Sequence, residues 1–287
     1  MLRGLGCDWK PLTVLRGTTK RPGNSVVLLL AGLLAAAPAL ADDAERAGTA
    51  LAEAVHGRPI GDDAVTRGTM TLIERGREPR VRETFQYRLE AADGGRQTLI
   101  RFTSPADIAD TGLLIHDHAD GATDQWLYLP AMDRVRRIAA DRRGGRFVGS
   151  DLFFEDLEDR APERDRHRLL SEETWDGAAL QVLESVPVAG DGSVYSRRVS
   201  WIDPETLIPL RIDFYRGGDE PMKRLEVTRV ARIDGYWTEM ETTVTDLESG
   251  HRTVLVVDEV VYDQGLPGTL FTSRALADTR VERRYRP

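Results

Sequence analysis

Residues 124–157, DQWLYLPAMDRVRRIAADRRGGRFVGSDLFFEDL, decide how the rest of the chain is read. The stretch opens as a strand with Trp126 and Tyr128 on one face and Leu127 and Leu129 on the other. Both sides are apolar, as in a strand covered on both faces. Pro130, which has no N–H to donate, ends it. A second short strand is predicted over residues 134–139, followed by a basic loop that holds Arg142, Arg143, Gly144, Gly145 and Arg146. A short helix is then expected, with Ser150 as its N-cap and Asp151 at the positive end of the dipole. Leu152, Phe153 and Phe154 are too apolar for a surface loop. An aromatic helix tethered to a sheet by a basic loop is expected to act as a plug or lid.

On either side of this stretch the hydrophobic period is two. Over residues 81–91, Phe85, Tyr87 and Leu89 alternate with Arg82, Thr84, Gln86 and Arg88, giving one buried and one wet face. Gly94-Gly95 turns the chain into residues 97–103, where Ile100 and Phe102 oppose Leu99. A further strand is predicted over residues 111–118. Beyond the plug, strands are expected at 166–174, 180–188, 194–203, 208–216, 223–233, 236–246 and 252–262. Asp-Gly, Gly-Gly, Ser-Gly and Asp-Pro turns separate them. Such spacing leaves no room for helical crossovers, so the strands form an antiparallel meander. Ile208, Leu210, Ile212 and Phe214 make an inward row, and Tyr195, Val199 and Trp201 are expected to continue the same face. That many strands sharing one apolar face must close, fold over or curl. Helices are predicted over residues 42–56, with Ala44, Ala47, Leu51, Ala54 and Val55 as the apolar face, and near Leu270–Leu276.

The first 41 residues read as a secretory leader. Lys20 and Arg21 precede an apolar run over residues 26–37, and Ala39-Leu40-Ala41 has the small-x-small form of a cleavage site. Cleavage is expected after Ala41, leaving residues 42–287 as a single domain, because no Pro/Ser-rich linker divides them. The only cysteine, Cys7, precedes the apolar run, so the mature protein is expected to carry neither a disulfide nor a lipid-modified cysteine. The whole chain has 39 basic and 47 acidic residues and a net charge of −8. Without the leader the balance is 34 to 46, or −12. This acidity disfavours nucleic acid as a partner and gives no general attraction to anionic membranes.

The sequence WLYLP, then RVRRI, then GSD with aromatics and a further acid at Asp156, resembles the LolA-like outer-membrane lipoprotein-sorting proteins. In particular it resembles the larger bacterial branch with this signature. WIDPETLIPLRIDFY, the strand beginning at Lys223, IDGYW and LPGTLFTSRAL follow in the same order, so the resemblance covers nearly the whole mature chain. It implies a mainly β fold: a curved antiparallel sheet forming an incomplete β-barrel, with a few helices over the open side. It also implies a periplasmic carrier that binds the acyl chains of a lipoprotein or a lipid in the half-barrel and hands them towards the outer membrane. An inner-membrane transporter or an outer-membrane acceptor would be its partner, and the protein is expected to be a monomer. The alternative is a sensor or adaptor module that binds a regulator or a lipid-exporter partner. Under the carrier reading the ligand would be lined by Phe85, Tyr87, Phe102, Trp126, Tyr128, Phe147, Phe153, Phe154, Trp201, Phe214 and Tyr236. Arg136, Arg137, Ser150, Asp151 and Asp156 would anchor the lid.

Other chemistry has less support. His116 and His118 share a strand face and could hold a metal with Asp120, but two polar residues on a wet strand edge explain them better, and no third histidine is near in sequence. Ser150 lies in V-G-S-D-L rather than a G-x-S-x-G elbow, and neither a P-loop nor a dinucleotide fingerprint is present. No enzyme and no cofactor are expected. The arginines between 134 and 146 would contact a lipid phosphate or an acidic partner, or else pair internally with Asp151, Glu155 and Asp156.

Overall fold

The structure is a computed structural model that describes residues 36–175 and 177–287. The leader expected over residues 1–41 lies outside the described residues as far as residue 35. Helix α1 (Ala36–His56) runs through the expected cleavage point. Thirteen strands follow: β1 (Asp63–Ile73), β2 (Arg80–Glu90), β3 (Arg96–Ser104), β4 (Gly112–Asp117), β5 (Thr123–Leu129) and β6 (Arg134–Arg137), then β7 (Asp165–Trp175), β8 (Ala178–Pro187), β9 (Arg197–Ile202), β10 (Pro209–Tyr215), β11 (Lys223–Ile233), β12 (Tyr236–Asp246) and β13 (Arg252–Tyr262). A one-turn helix α2 (Ser273–Ala277) lies near the C-terminus. No helix among the described residues is long and apolar enough to cross a membrane.

All thirteen strands form one antiparallel sheet in the order β6-β5-β4-β3-β2-β1-β13-β12-β11-β10-β9-β8-β7, which does not close into a barrel. The first and last strands of the chain pair at its centre. Strands β6 and β7, adjacent in sequence, are therefore its two opposite edges. The residues between them must cross the open side of the curl, and this connection is the plug segment.

At the central seam, Gly68 sits in a β-bulge where a Cβ would lie 2.3 Å from the Val256 carbonyl oxygen. Only glycine allows that approach. Gly48 does the same for α1, since a Cβ there would lie 2.7 Å from the backbone of Arg168. Helix α1 consequently rests directly on β7. Its buried stripe is Gly48, Leu51 and Ala52 with Val55 at its margin, whereas Ala47 and Ala54, expected on the apolar face, are exposed.

The sheet buries apolar residues on both faces. On the inner face Met70, Leu72, Ile100, Phe102, Leu113 and Ile115 pack against Phe147, Leu152 and Phe154 of the plug. On the outer face Val65, Tyr87, Leu99, Leu114 and Tyr128 are covered by Leu266, Leu270, Phe271 and Leu276 of the C-terminal strap. The strap is pinned by a fully buried pair, Arg101 Nε donating to Glu282 Oε1 at 2.6 Å, while the same guanidinium bonds the Leu276 carbonyl at 2.8 Å.

The register corrects one expectation. Val199 pairs with Asp213 and Trp201 with Arg211, so both lie on the face opposite Ile212 and Phe214. Trp201 stacks under the Arg211 guanidinium at 4.2 Å and donates to Glu173 at 2.8 Å on the outer surface. Alternation fixes which residues of a strand share a face. Which face is inner depends on pairing, and one step of register reverses it.

Candidate ligand-binding site

The plug segment contains no α-helix. It folds as four short 3-10 turns, Ala140–Arg142, Phe147–Gly149, Phe154–Leu157 and Pro162–Arg164, with a bridge between Arg146 and Phe153 flanking the second and third. Ser150, expected to cap a helix, instead closes a tight loop. Its hydroxyl donates to the Phe147 carbonyl at 2.7 Å and accepts from the Leu152 amide at 3.3 Å. Val148 takes a left-handed conformation, φ 46°, before Gly149 at φ 76°, a costly geometry for a β-branched residue.

Three buried carboxylates hold this segment in place. Asp151 accepts from Arg146 and from His251 Nδ1 at 2.5 Å each, and from the Thr253 hydroxyl at 2.8 Å. Glu155 accepts from the Val194 amide at 2.8 Å, from Ser193 at 2.5 Å and from Arg198. Asp156 accepts from the Phe153 amide at 2.6 Å, from the Tyr195 hydroxyl at 2.7 Å and from the Lys223 ammonium. Lys223 is 2% exposed and caged by the rings of Phe153, Phe214 and Tyr195, at 4.0, 4.7 and 4.9 Å. Burial lowers the pKa of this ammonium, against the opposing pull of Asp156. Burial and the nearby Asp156 carboxylate push Tyr195 upward. The cage adds cation–π attraction to the ion pair.

Of the residues expected to anchor the lid, Ser150, Asp151 and Asp156 take part in these contacts, and Arg136 and Arg137 do not. Arg136 is exposed, and Arg137 pairs with Asp124 at the surface. The plug's own basic partners are Arg146, Arg198 and Lys223, with Arg143 and Arg164 on Glu158. Lys223 was missed because it sits 67 residues from Asp156 in an ordinary alternating strand.

Beside the plug, between α1 and the inner face of the sheet, lies a cavity of about 560 Å³. This is within the range of small-molecule sites. One part of its wall is apolar, with Ala52 and Val55 of α1 facing Ala64, Leu183, Ile202, Ile212, Trp237 and Tyr262. The other part is charged. Arg58 bonds Glu239 at 3.2 Å, Arg96 bonds Asp159 at 2.8 Å, and Arg160 bonds Asp165 at 2.7 Å. His167 is tied at both ring nitrogens, to Ser185 at 2.9 Å and to the Pro162 carbonyl at 2.8 Å. Among the described residues, four buried side-chain atoms lack a hydrogen-bond partner. Two of them, Glu158 Oε1 and Arg160 Nη1, belong to this charged wall.

None of the aromatic residues expected to line the ligand borders this cavity. Phe102, Phe147 and Phe154 pack against one another at the far end of the inner face, and Phe153 and Phe214 enclose Lys223. Phe85, Tyr87, Trp126 and Tyr128 lie on the outer face with the strap, and Trp201 is on the outer face of β9. Tyr236 stacks on Tyr262 at 4.8 Å, with its hydroxyl on Asp263. Large aromatics fill well-packed cores, so their positions mark where the protein is full rather than where it is hollow. His116 and His118 are likewise engaged, with the Phe271 carbonyl at 2.8 Å and with Asp124 at 3.2 Å.

The fold has counterparts among solved structures. A DUF1329 family protein from Desulfovibrio piger superposes with a TM-score of 0.76 at 32% identity, covering 81% of this chain and 99% of that one. The chain belongs to the DUF1329 family. A Vibrio parahaemolyticus domain named for outer membrane lipoprotein sorting matches this DUF1329 chain equally well, with a TM-score of 0.76 at 31% identity over the same shares. A LolA superfamily protein from Nitrosomonas europaea, with a TM-score of 0.61 at 17% identity, shares the fold over 81% of this chain and 99% of its own. A family model described as that of an uncharacterized protein matches residues 94–278. No curated protein matches the sequence. The DUF1329 chain thus shares the mainly β, incompletely closed fold of a LolA superfamily protein, as the YLP, RRI and GSD segments had implied.

Proposed function

We propose that the protein is a periplasmic carrier that shelters the acyl part of a lipoprotein or of a free lipid and passes it towards the outer membrane. The observation that carries this reading is the 560 Å³ cavity between α1 and the inner face, in a fold shared with lipoprotein-sorting proteins. Exposing an acyl chain costs roughly 0.8 kcal/mol per methylene, on the order of 10 kcal/mol for about 15 carbons, so transfer through water needs a cover. The mixed wall fits an amphiphile better than a plain hydrocarbon. Its alkyl part would lie along Val55, Leu183, Ile212 and Trp237, and its polar end beside the Arg96, Asp159 and Arg160 group. Longer chains would reach the apolar ground held by Phe147, Leu152 and Phe154, which requires the plug to withdraw. Release then needs an acceptor that binds the cargo more tightly or that loosens the plug.

That filled apolar end also favours the second reading, an adaptor whose function is to dock a transporter or regulator. One experiment separates them. Protein secreted in its native form and analysed by native mass spectrometry is expected to retain acyl species, and Thr66→Trp, which fills the cavity from β1, is expected to lose them. Lipid-free wild type that also fails to bind a fluorescent fatty acid would leave the adaptor reading.

A further inference from the structure

The two edges of the sheet are finished differently. Strand β7 is covered by α1, whose Gly48 lies against the backbone of Arg168 and Leu169. Strand β6 is short; Val135 packs against the C-terminal strap and α2 lies alongside, but no strand pairs with its outer edge, and Arg134, Arg136 and Arg137 are all exposed. Ile138 N donates to the Gln125 carbonyl at 2.8 Å. By the alternation of an antiparallel ladder, Arg136 and Arg134 then also direct their backbone groups at β5, while Val135 and Arg137 direct theirs away from the sheet. Two amides and two carbonyls therefore face outward in a row. Facing residues in the register place Arg134 and Arg136 with Leu129 and Leu127 on one face, and Arg137 with Trp126 on the other. Among the described residues, Arg134, Arg136 and Arg142 pair with no carboxylate, and Arg137 makes one exposed pair with Asp124. Residues 132–146 hold six arginines and two aspartates in a chain whose net charge is −8. The sequence left open whether these arginines pair with the plug. Those of β6 do not.

We infer that β6 is a docking edge for an acidic extended segment of a partner protein, which adds as a further strand. The outward amides and carbonyls supply strand pairing, and Arg134 and Arg136, which share one face, meet carboxylates at alternate positions of the incoming chain, while Arg137 adds positive charge on the other face. Charge complementarity selects an acidic strand over a second copy's β6, because two basic edges repel. An anionic bilayer would use the arginines and leave the outward backbone row unpaired. The inference does not depend on the cargo of the cavity. From β6 the chain runs directly into the plug, so a strand bound there would act on the segment that must move for loading.

The probe is a fluorescein-labelled heptapeptide, acetyl-Thr-Glu-Val-Glu-Val-Glu-Thr-amide, followed by anisotropy against the full chain. Arg137→Ala removes one charge, whereas Arg137→Pro removes the same charge and an outward N–H, a position where an edge strand tolerates proline. Wild type is expected to bind. Arg137→Ala is expected to weaken binding a few-fold, Arg137→Pro at least tenfold more, and Arg134→Glu with Arg136→Glu to abolish it, all with unchanged circular dichroism. Equal affinities of the alanine and proline variants would overturn strand addition. So would absence of peptide binding, sedimentation with phosphatidylglycerol vesicles in its place, or self-association lost in the double glutamate variant.

Discussion

Replacing Lys223 with methionine tests whether the plug is a separately opening unit. The substitution keeps the length and apolar contacts of the side chain inside the Phe153, Tyr195 and Phe214 cage, but leaves Asp156 without its ammonium partner. Removing one member of a buried ion pair costs about 3–5 kcal/mol, because the remaining charge stays desolvated. Asp156 retains the Phe153 amide and the Tyr195 hydroxyl, which places the expected loss at the lower end. If the loss falls on the plug alone, its local opening becomes about a hundredfold more frequent or greater, at 1.4 kcal/mol per decade. Native-state hydrogen exchange reads this directly. The Ser150, Phe154, Glu155 and Asp156 amides bond only within the segment, to the Phe147, Gly145, Arg143 and Phe153 carbonyls. They should exchange faster by that factor while amides of β1 and β13 at the central seam keep their protection. A cargo-binding assay should show faster loading. Equal acceleration in plug and seam would refute the reasoning, because the plug would then open only when the whole sheet does.

Three further perturbations test other parts of the structure. Burial pushes the Asp117 carboxyl up to about 6 from 3.8, against hydrogen bonds from Thr123 and the Asp159 amide. The folded state therefore holds this proton more tightly than the unfolded chain. That stabilisation is present below pH 4 and lost as the pH rises through 6, about 3 kcal/mol in all. Asp117→Asn should raise the melting temperature at pH 7.5 and have little effect at pH 3.5, and a pH-independent change would contradict the assignment. Arg101→Met strands the buried Glu282 carboxylate, at a cost of about 3–5 kcal/mol. Trypsin should then trim the strap at Arg274 or Arg280, and a tail as resistant as wild type would contradict its role as the pin. Gly48→Ala improves helix propensity by about 1 kcal/mol, yet its Cβ meets the Arg168 backbone at 2.7 Å. Net destabilisation in thermal melts is expected, and a stabilised variant would show that α1 does not bear on β7.

The sequence by itself determined the strands. The alternation in residues 81–91, 223–233, 236–246 and 252–262, punctuated by Gly-containing turns, placed β2, β11, β12 and β13 to within a residue or so. A period of two and a tight turn are local properties, and no other part of the chain is needed to express them. Local patterns also indicated that residues 147–157 would bury aromatics and acids, although they could not show that Ser150 closes a loop and caps no helix. Only the tertiary structure decided which face of each strand is inner, which of the arginines between 134 and 146 are paired, and where the protein is hollow. Those outcomes depend on register and on the pairing of β1 with β13, which sets β6 and β7 at opposite edges and sends the plug across the gap. They bring together residues such as Asp156 and Lys223, or Arg101 and Glu282, that lie far apart in the chain. Burial of a charge in such a pair is a property of the assembled sheet, and no short window of sequence contains both partners.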